Sequence, residues 1–408
     1  MAEWELNSHL QNQTITDSTF HTHWDTWFNQ TDVDQLVALK ITSVRIPIGF
    51  WVIEGIVNRT SEHYAQGGLD MLISRLEMLK QAGIGVLLDH HALPGVAASY
   101  SMFAGHCTGD VEFYTEANYR RAITWTAVMT FLTHAHPSFS TVFSIEAANE
   151  PLSDASLTPN FSTFEAAFVL AIRTVEATFG IICDASIFTS PYLSTPFLIG
   201  GLEDAVPIIR DYSRNYNLDL SNAGNVSFAP LNQTIGALAG LVDSGSSPQC
   251  LATSSMDSSW QYAVNSTVEV GNPANYTRGP SLFDNHLYLA FGYVAPEATP
   301  KSYLTTICNN TRIAKAAAVG DSPLFFGEWS LGTEWSSSTD DFLRQFGDAQ
   351  KLAFSKGAGW MFWSMKLNPD ADSLGDWRGW SYFDAVKDGL FTADPNAVFD
   401  QHVCDPYI

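Results

Sequence analysis

Two glutamates stand at the ends of short apolar runs: Glu150 in Val142-Phe143-Ser144-Ile145-Glu146-Ala147-Ala148-Asn149-Glu150-Pro151, and Glu328 in Leu324-Phe325-Phe326-Gly327-Glu328-Trp329-Ser330. A carboxylate at the C-terminal end of a buried parallel strand does little for stability, but it lies where barrel enzymes build their sites. Two such carboxylates meet the needs of glycoside hydrolysis with retention. One serves as general acid and then base, the other attacks the sugar carbon from the opposite face, and the carboxyl groups stand ~5–5.5 Å apart. One such Glu reads as an ordinary ion-pair residue; two in this context read as chemistry.

Other strand ends supply complementary groups: Arg45, His90 and His91, Asn149, His286 and Tyr288, and Trp363. Taken singly, each has a plain alternative: a core ion pair for Arg45, a buried imidazole for His91, packed aromatics for Tyr288 and Trp363. Together they fit one task. Arg45 and Tyr288 would hold one carboxylate ionised as a nucleophile, and its charge would raise the pKa of the other, the acid. Asn149 would bind a sugar 2-hydroxyl, and Trp363 offers a flat face to a pyranose.

Seven runs read as the strands that position these groups: Ile41–Gly49, Gly83–His91, Val142–Glu150, Ala185–Ser190, Leu282–Phe291, Leu324–Leu331 and Gly359–Lys366. Helical patterns alternate with them. Leu69, Leu72, Leu76 and Leu79 recur at helix spacing before Gly83; Ile123, Ala127 and Phe131 mark a second helix; Phe342, Phe346, Ala349 and Ala353 mark another. Ser162 with Glu165 has the form of a capping box before a helix that Gly180 ends. This βαβα order predicts an α/β fold with a parallel sheet, and the length favours a (β/α)8 TIM barrel over a doubly wound sheet. No Gly-rich nucleotide fingerprint follows an early strand. Residues 191–281, rich in Gly, Ser, Asn and Pro, read as a decorated insertion between the fourth and fifth of these runs.

The formal charge of −23 argues against nucleic acid and anionic membrane surfaces, and suits a neutral substrate. No apolar stretch approaches the length of a membrane span. Sequons at Asn12, Asn29, Asn58, Asn160, Asn225, Asn232, Asn265, Asn275 and Asn309 point to the secretory pathway. The cysteines Cys107, Cys183, Cys250, Cys308 and Cys404 form no CxxC pair or His cluster, so no metal framework is expected, and the glycosidase reading needs no organic cofactor. Their odd number leaves at least one unpaired within the chain, and Cys183, in an apolar run, reads as a buried thiol.

The segments Val44-Arg45-Ile46-Pro47-Ile48-Gly49-Phe50-Trp51, Asn149-Glu150-Pro151, His286-Leu287-Tyr288, Phe326-Gly327-Glu328 and Gly359-Trp360-Met361-Phe362-Trp363 resemble glycoside hydrolase family 5. Their nearest flavour is the fungal exo-β-1,3-glucanase group, which His23-Trp24 before Phe28 and Gly389-Leu390-Phe391 also resemble. The resemblance implies Glu150 as acid/base, Glu328 as nucleophile, and Arg45, His91, Asn149, His286, Tyr288 and Trp363 as the supporting site. It also implies a Cys308–Cys404 disulfide; Cys107 with Cys250 is a weaker second pair. The loop Val96–Cys107 and residues 191–281 depart from the group, and nothing before Trp24 matches its first, Gly-rich strand.

Residues 1–408 are therefore expected to form a single glycoside hydrolase catalytic domain, with its first strand missing and a seam between the 41–49 and 359–366 strands. The expected protein is a secreted, monomeric retaining β-glycosidase of the cell wall or extracellular space. It would act on β-glucan or β-glucosides, most simply as an exo-β-1,3-glucanase. A β-1,6-glucanase or a disaccharide-releasing glycosidase of the same family is the alternative within enzymes. A non-catalytic glucan-binding relative is the alternative outside them.

Overall fold

A computed structural model describes residues 2–10, 12–218, 249–257, 271–292, 294–335, 338–368 and 377–408. The sequons Asn225, Asn232 and Asn265 lie outside the described residues, as do 219–248 and 258–270 of the expected insertion. The chain forms two compact units. One comprises Met1–Gln35, Thr42–Met256 and Thr267–Ser281; the other comprises Leu36–Ile41, Asp257–Ser266 and Leu282–Ile408.

The acidic N-terminal residues are helical, in α1 (Glu3–Leu10) and α2 (Gln13–Trp27), and α3 (Gln30–Ala38) follows. Among the described residues none of this stretch supplies a strand. Glu3 is drawn inward, its carboxylate accepting from the Ala65 amide at 3.3 Å. Burial pushes its pKa up to about 8.

The first unit carries β1 (Ser43–Gly49), β2 (Gly85–Ala92), β3 (Val142–Glu146) and β4 (Ala252–Met256), paired in that order and all parallel. The register aligns Pro47 with Asp89, Asp89 with Glu146, and Glu146 with Ser254. Long crossover helices make parallel pairing affordable. In α4 (Gly68–Gln81) the Leu69, Leu72, Leu76 and Leu79 stripe is buried, and Gly83 ends the run at φ +71°, a conformation that suits glycine. The helix α5 (Glu116–Ala135) is capped by the Thr115 side chain and buried nearly all round from Tyr119 to Thr133.

Four expectations need correction here. The capping box does not form, because α6 (Phe161–Thr178) starts from Asn160 in a left-handed conformation with no side-chain cap bond. Ser162 then falls inside the first turn and its hydroxyl serves Tyr276. The run Ala185–Ser190 is no strand: Asp184 accepts from the Ser186 amide and winds Ala185–Thr189 into a 3-10 helix. The fourth strand comes instead from within residues 191–281, as Ala252–Met256. That interval also holds α7 (Pro196–Asn215), so it is an elaborated crossover, not a loop set outside the ladder. The cysteines pair differently too. Cys183 is no thiol but bonds Cys250, Cα–Cα 5.9 Å, and Cys107 is free and exposed. Cys250 precedes the N-terminal end of β4, whereas Cys107 follows the C-terminal end of β2, so the two lie at opposite ends of one parallel ladder.

The second unit carries β5 (Ser281–Leu287) and β6 (Leu324–Trp329), again parallel, with Phe283 opposite Leu324 and His286 opposite Glu328. Between them run α8 (Pro300–Cys308) and α9 (Arg312–Val319); α10 (Asp340–Phe354) follows β6 and α11 (Tyr382–Lys387) lies near the end. The expected strand at 359–366 is reduced to one parallel bridge, Phe326 with Trp360. Its backbone still tracks β6: the Met361 amide donates to Phe326 O and the Trp363 amide to Trp329 O. Cys308–Cys404, implied by the family resemblance, is formed with Cα–Cα 5.3 Å and ties the C-terminal residues to α8.

Candidate active site

Side chains alternate along a strand, so residues two apart share a face. In the first unit this places Asp89 and His91 together on β2, and parallel register brings Glu146 beside Asp89. The two carboxylates meet Arg45 of β1. Its Nε donates to Glu146 Oε2 at 2.9 Å, Nη1 lies 3.0 Å from Asp89 Oδ2, and Nη2 donates to Asn149 Oδ1 at 2.9 Å. The Arg45 side chain is 3% exposed, and those of Asp89 and Glu146 are fully buried. Charge-assisted bonds of this kind are the strong ones, and their cost of desolvation is met only by such pairing. Asp89 Oδ2 also accepts from His91 Nδ1 at 2.6 Å. Thus Arg45, His91 and Asn149, all expected site residues, are gathered by two carboxylates that sequence reasoning missed.

Glu150 follows at the end of the β3 segment, half-buried, with φ +39°. A non-glycine residue there carries backbone strain of about 1–3 kcal/mol, and such strain concentrates at functional positions.

His90 takes the opposite course. It points into the core and stacks on Trp125, ring centroids 4.0 Å apart, and burial lowers its pKa to about 3. A consequence follows for stability. The unfolded chain binds a proton at His90 near pH 6.5, which the folded chain refuses until about pH 3, so stability falls as pH drops through that window, by about 1.4 kcal/mol per unit. Glu3 works the other way. Folded, it keeps its proton up to about pH 8, whereas the unfolded chain releases it near 4.5, so its contribution is full below 4.5 and is lost as pH rises toward 8. Urea unfolding measured against pH should therefore show greatest stability where the two windows overlap. His90→Phe should flatten the acid limb and Glu3→Gln the alkaline one. An acid limb unchanged in His90→Phe would remove His90 from this role.

In the second unit, β5 and β6 bring His286, Tyr288 and Glu328 together. Tyr288 Oη donates to Glu328 Oε2 at 2.8 Å, and His286 Nδ1 lies 3.4 Å from the same oxygen. His286 Nε2 lies 3.4 Å from Asp284, whose other oxygen accepts from the Gly327 amide at 2.7 Å. The Gly327 position has no room for a Cβ, which would sit 2.1 Å from Asp284 Oδ2. Asp284 too was missed, although Asp-x-His recurs at Asp89-His90-His91 and Asp284-Asn285-His286. That repeat at same-face spacing was the available signal. Trp363 is half-buried after β6, its amide on Trp329 O, and Trp380 stacks against Tyr288 at 5.5 Å.

A family model described as cellulase (glycosyl hydrolase family 5) matches residues 9–369. The chain belongs to glycosyl hydrolase family 5. It is 27% identical over 404 residues to a protein of Emericella nidulans named glucan endo-1,6-beta-glucosidase B, covering 96% of this chain and 78% of that protein. Similarity to a probable glucan 1,3-beta-glucosidase A of Aspergillus niger is 28% over 149 residues, 36% of this chain and 34% of that one. Among solved structures, a rutinosidase from Aspergillus niger superposes with a TM-score of 0.58 at 17% identity, covering 95% of this chain and 89% of the other. The family 5 chain is thus an α/β barrel protein of the (β/α)8 class and a glycoside hydrolase. Among its described residues no helix is long and apolar enough to cross a membrane.

Proposed function

We propose that the protein is a retaining β-glycosidase that cuts β-1,6-linked glucan outside the cell, with Glu150 as acid/base and Glu328 as nucleophile. The observation that carries this reading is the donation from Tyr288 to Glu328, with His286 beside the same oxygen. Both contacts fall on one carboxylate oxygen and fix its direction, as an attacking nucleophile requires. Arg45, His91, Asn149 and Trp363 serve as the sugar-binding surround. Support for the linkage is the span of the likeness to the Emericella nidulans protein, far longer than that to the 1,3-named one. Two disulfides and exposed sequons at Asn12, Asn58 and Asn160 support an extracellular place of work.

The test is product analysis on pustulan, laminarin and cellulose, with the first-formed anomer read by proton NMR. Pustulan should be cut fastest and the first product should be the β-anomer. Preference for laminarin would return the reading to a β-1,3-glucanase. An α-anomer as first product would overturn retention itself.

A further inference from the structure

We propose that Glu146 and Asp89 are positioning residues that act through Arg45 on Asn149, fixing the Asn149 amide with its NH2 turned toward the substrate 2-hydroxyl. This rests on the reading of the site as a β-glycosidase centre. A guanidinium has donors only, so the Asn149 atom 2.9 Å from Arg45 Nη2 is its carbonyl oxygen, and the NH2 group must face away. The guanidinium holds that direction only if its own plane is fixed. Glu146 fixes it at Nε, and Asp89 at Nη1. Three nitrogens of one rigid plane are thereby engaged, two of them by carboxylates that are themselves buried and on strands. Asp89 Oδ2 is shared with His91 Nδ1, so the same carboxylate sets the direction in which His91 presents Nε2. Neither carboxylate is assigned to touch substrate.

A bond to the 2-hydroxyl strengthens in the transition state, so losing its alignment lowers kcat more than it raises KM. Glu146→Gln keeps the shape but turns a charged acceptor into a neutral amide. It should lower kcat on an aryl β-glucoside about 100-fold, the scale of an ångström of misplacement. On the 2-deoxy analogue, where Asn149 has no partner, the same substitution should cost less than about 3-fold, because the coupled pair is already broken. Asp89→Asn should show the same contrast. A purely structural role would depress both substrates equally, and that outcome overturns the proposal. Crystal structures of the two variants give a readout that needs no turnover: Arg45 should leave Asn149, and an intact Arg45–Asn149 bond in both would also overturn it. If instead the wild type cuts neither a β-glucan nor an aryl β-glucoside, the functional reading fails, and the crystal structures still decide the positioning claim.

Discussion

Glu328→Ala should abolish turnover, lowering kcat by about 10⁴–10⁶-fold as nucleophile removal does elsewhere. Six residues, Leu324–Trp329, are buried along their length, so the strand has no latitude to redirect its one carboxylate. Tyr288 donates to that carboxylate, and His286 lies 3.4 Å from the same oxygen on its Nδ1 side. Truncation removes the attacking oxygen but leaves a pocket in which a small anion fits. Azide should therefore restore activity and give the glycosyl azide of inverted configuration, since it attacks from the face the carboxylate used. Near-normal activity in Glu328→Ala would remove this residue from the role. Tyr288→Phe, which deletes only the donated bond, should have the smaller effect.

Arg173→Met should cost about 3–5 kcal/mol of stability without altering the site directly. Arg173 lies on α6, is 1% exposed, and pairs with Glu176 one turn on at 2.5 Å. It also donates to the backbone carbonyls of Arg278, Leu251 and Pro280. Glu176 in turn accepts from the Leu251 amide at 2.7 Å. One ion pair therefore clamps the residues on either side of β4, and its loss leaves a buried carboxylate without its guanidinium. Urea unfolding should show the midpoint fall, and Arg173→Met with Glu176→Leu should recover part of the loss. A single variant as stable as wild type would refute this account.

The sequence carried the chemistry better than the scaffold. Glu328, His286 and Tyr288 were legible because each closes an apolar run, and a polar group at the end of a buried strand is conspicuous. Asp89 and Glu146 were not singled out, because a carboxylate inside a strand looks like any ion-pair residue until its partner strand is placed beside it. The strand Ala252–Met256 was hidden for another reason. Its sequence, Ala-Thr-Ser-Ser-Met, shows neither an apolar run nor alternation, and its place in the ladder comes from tertiary contacts with β3 and from the Arg173–Glu176 clamp. Conversely Ala185–Ser190 has strand-like composition, but one Asp cap bent it into a 3-10 turn. Local preference yields to capping and packing where segments are short.

The Cys183–Cys250 bond, 67 residues apart in sequence, has a consequence for how the chain tolerates being cut. Nicking by a protease anywhere between the two cysteines leaves the fragments covalently joined, and β4 stays anchored because its clamp lies outside the severed interval. A nicked molecule should migrate as one species without reductant and as two with it. The same interval is then the natural place to open new termini or to splice in a foreign module, since the crosslink holds the two flanks together whatever lies between them.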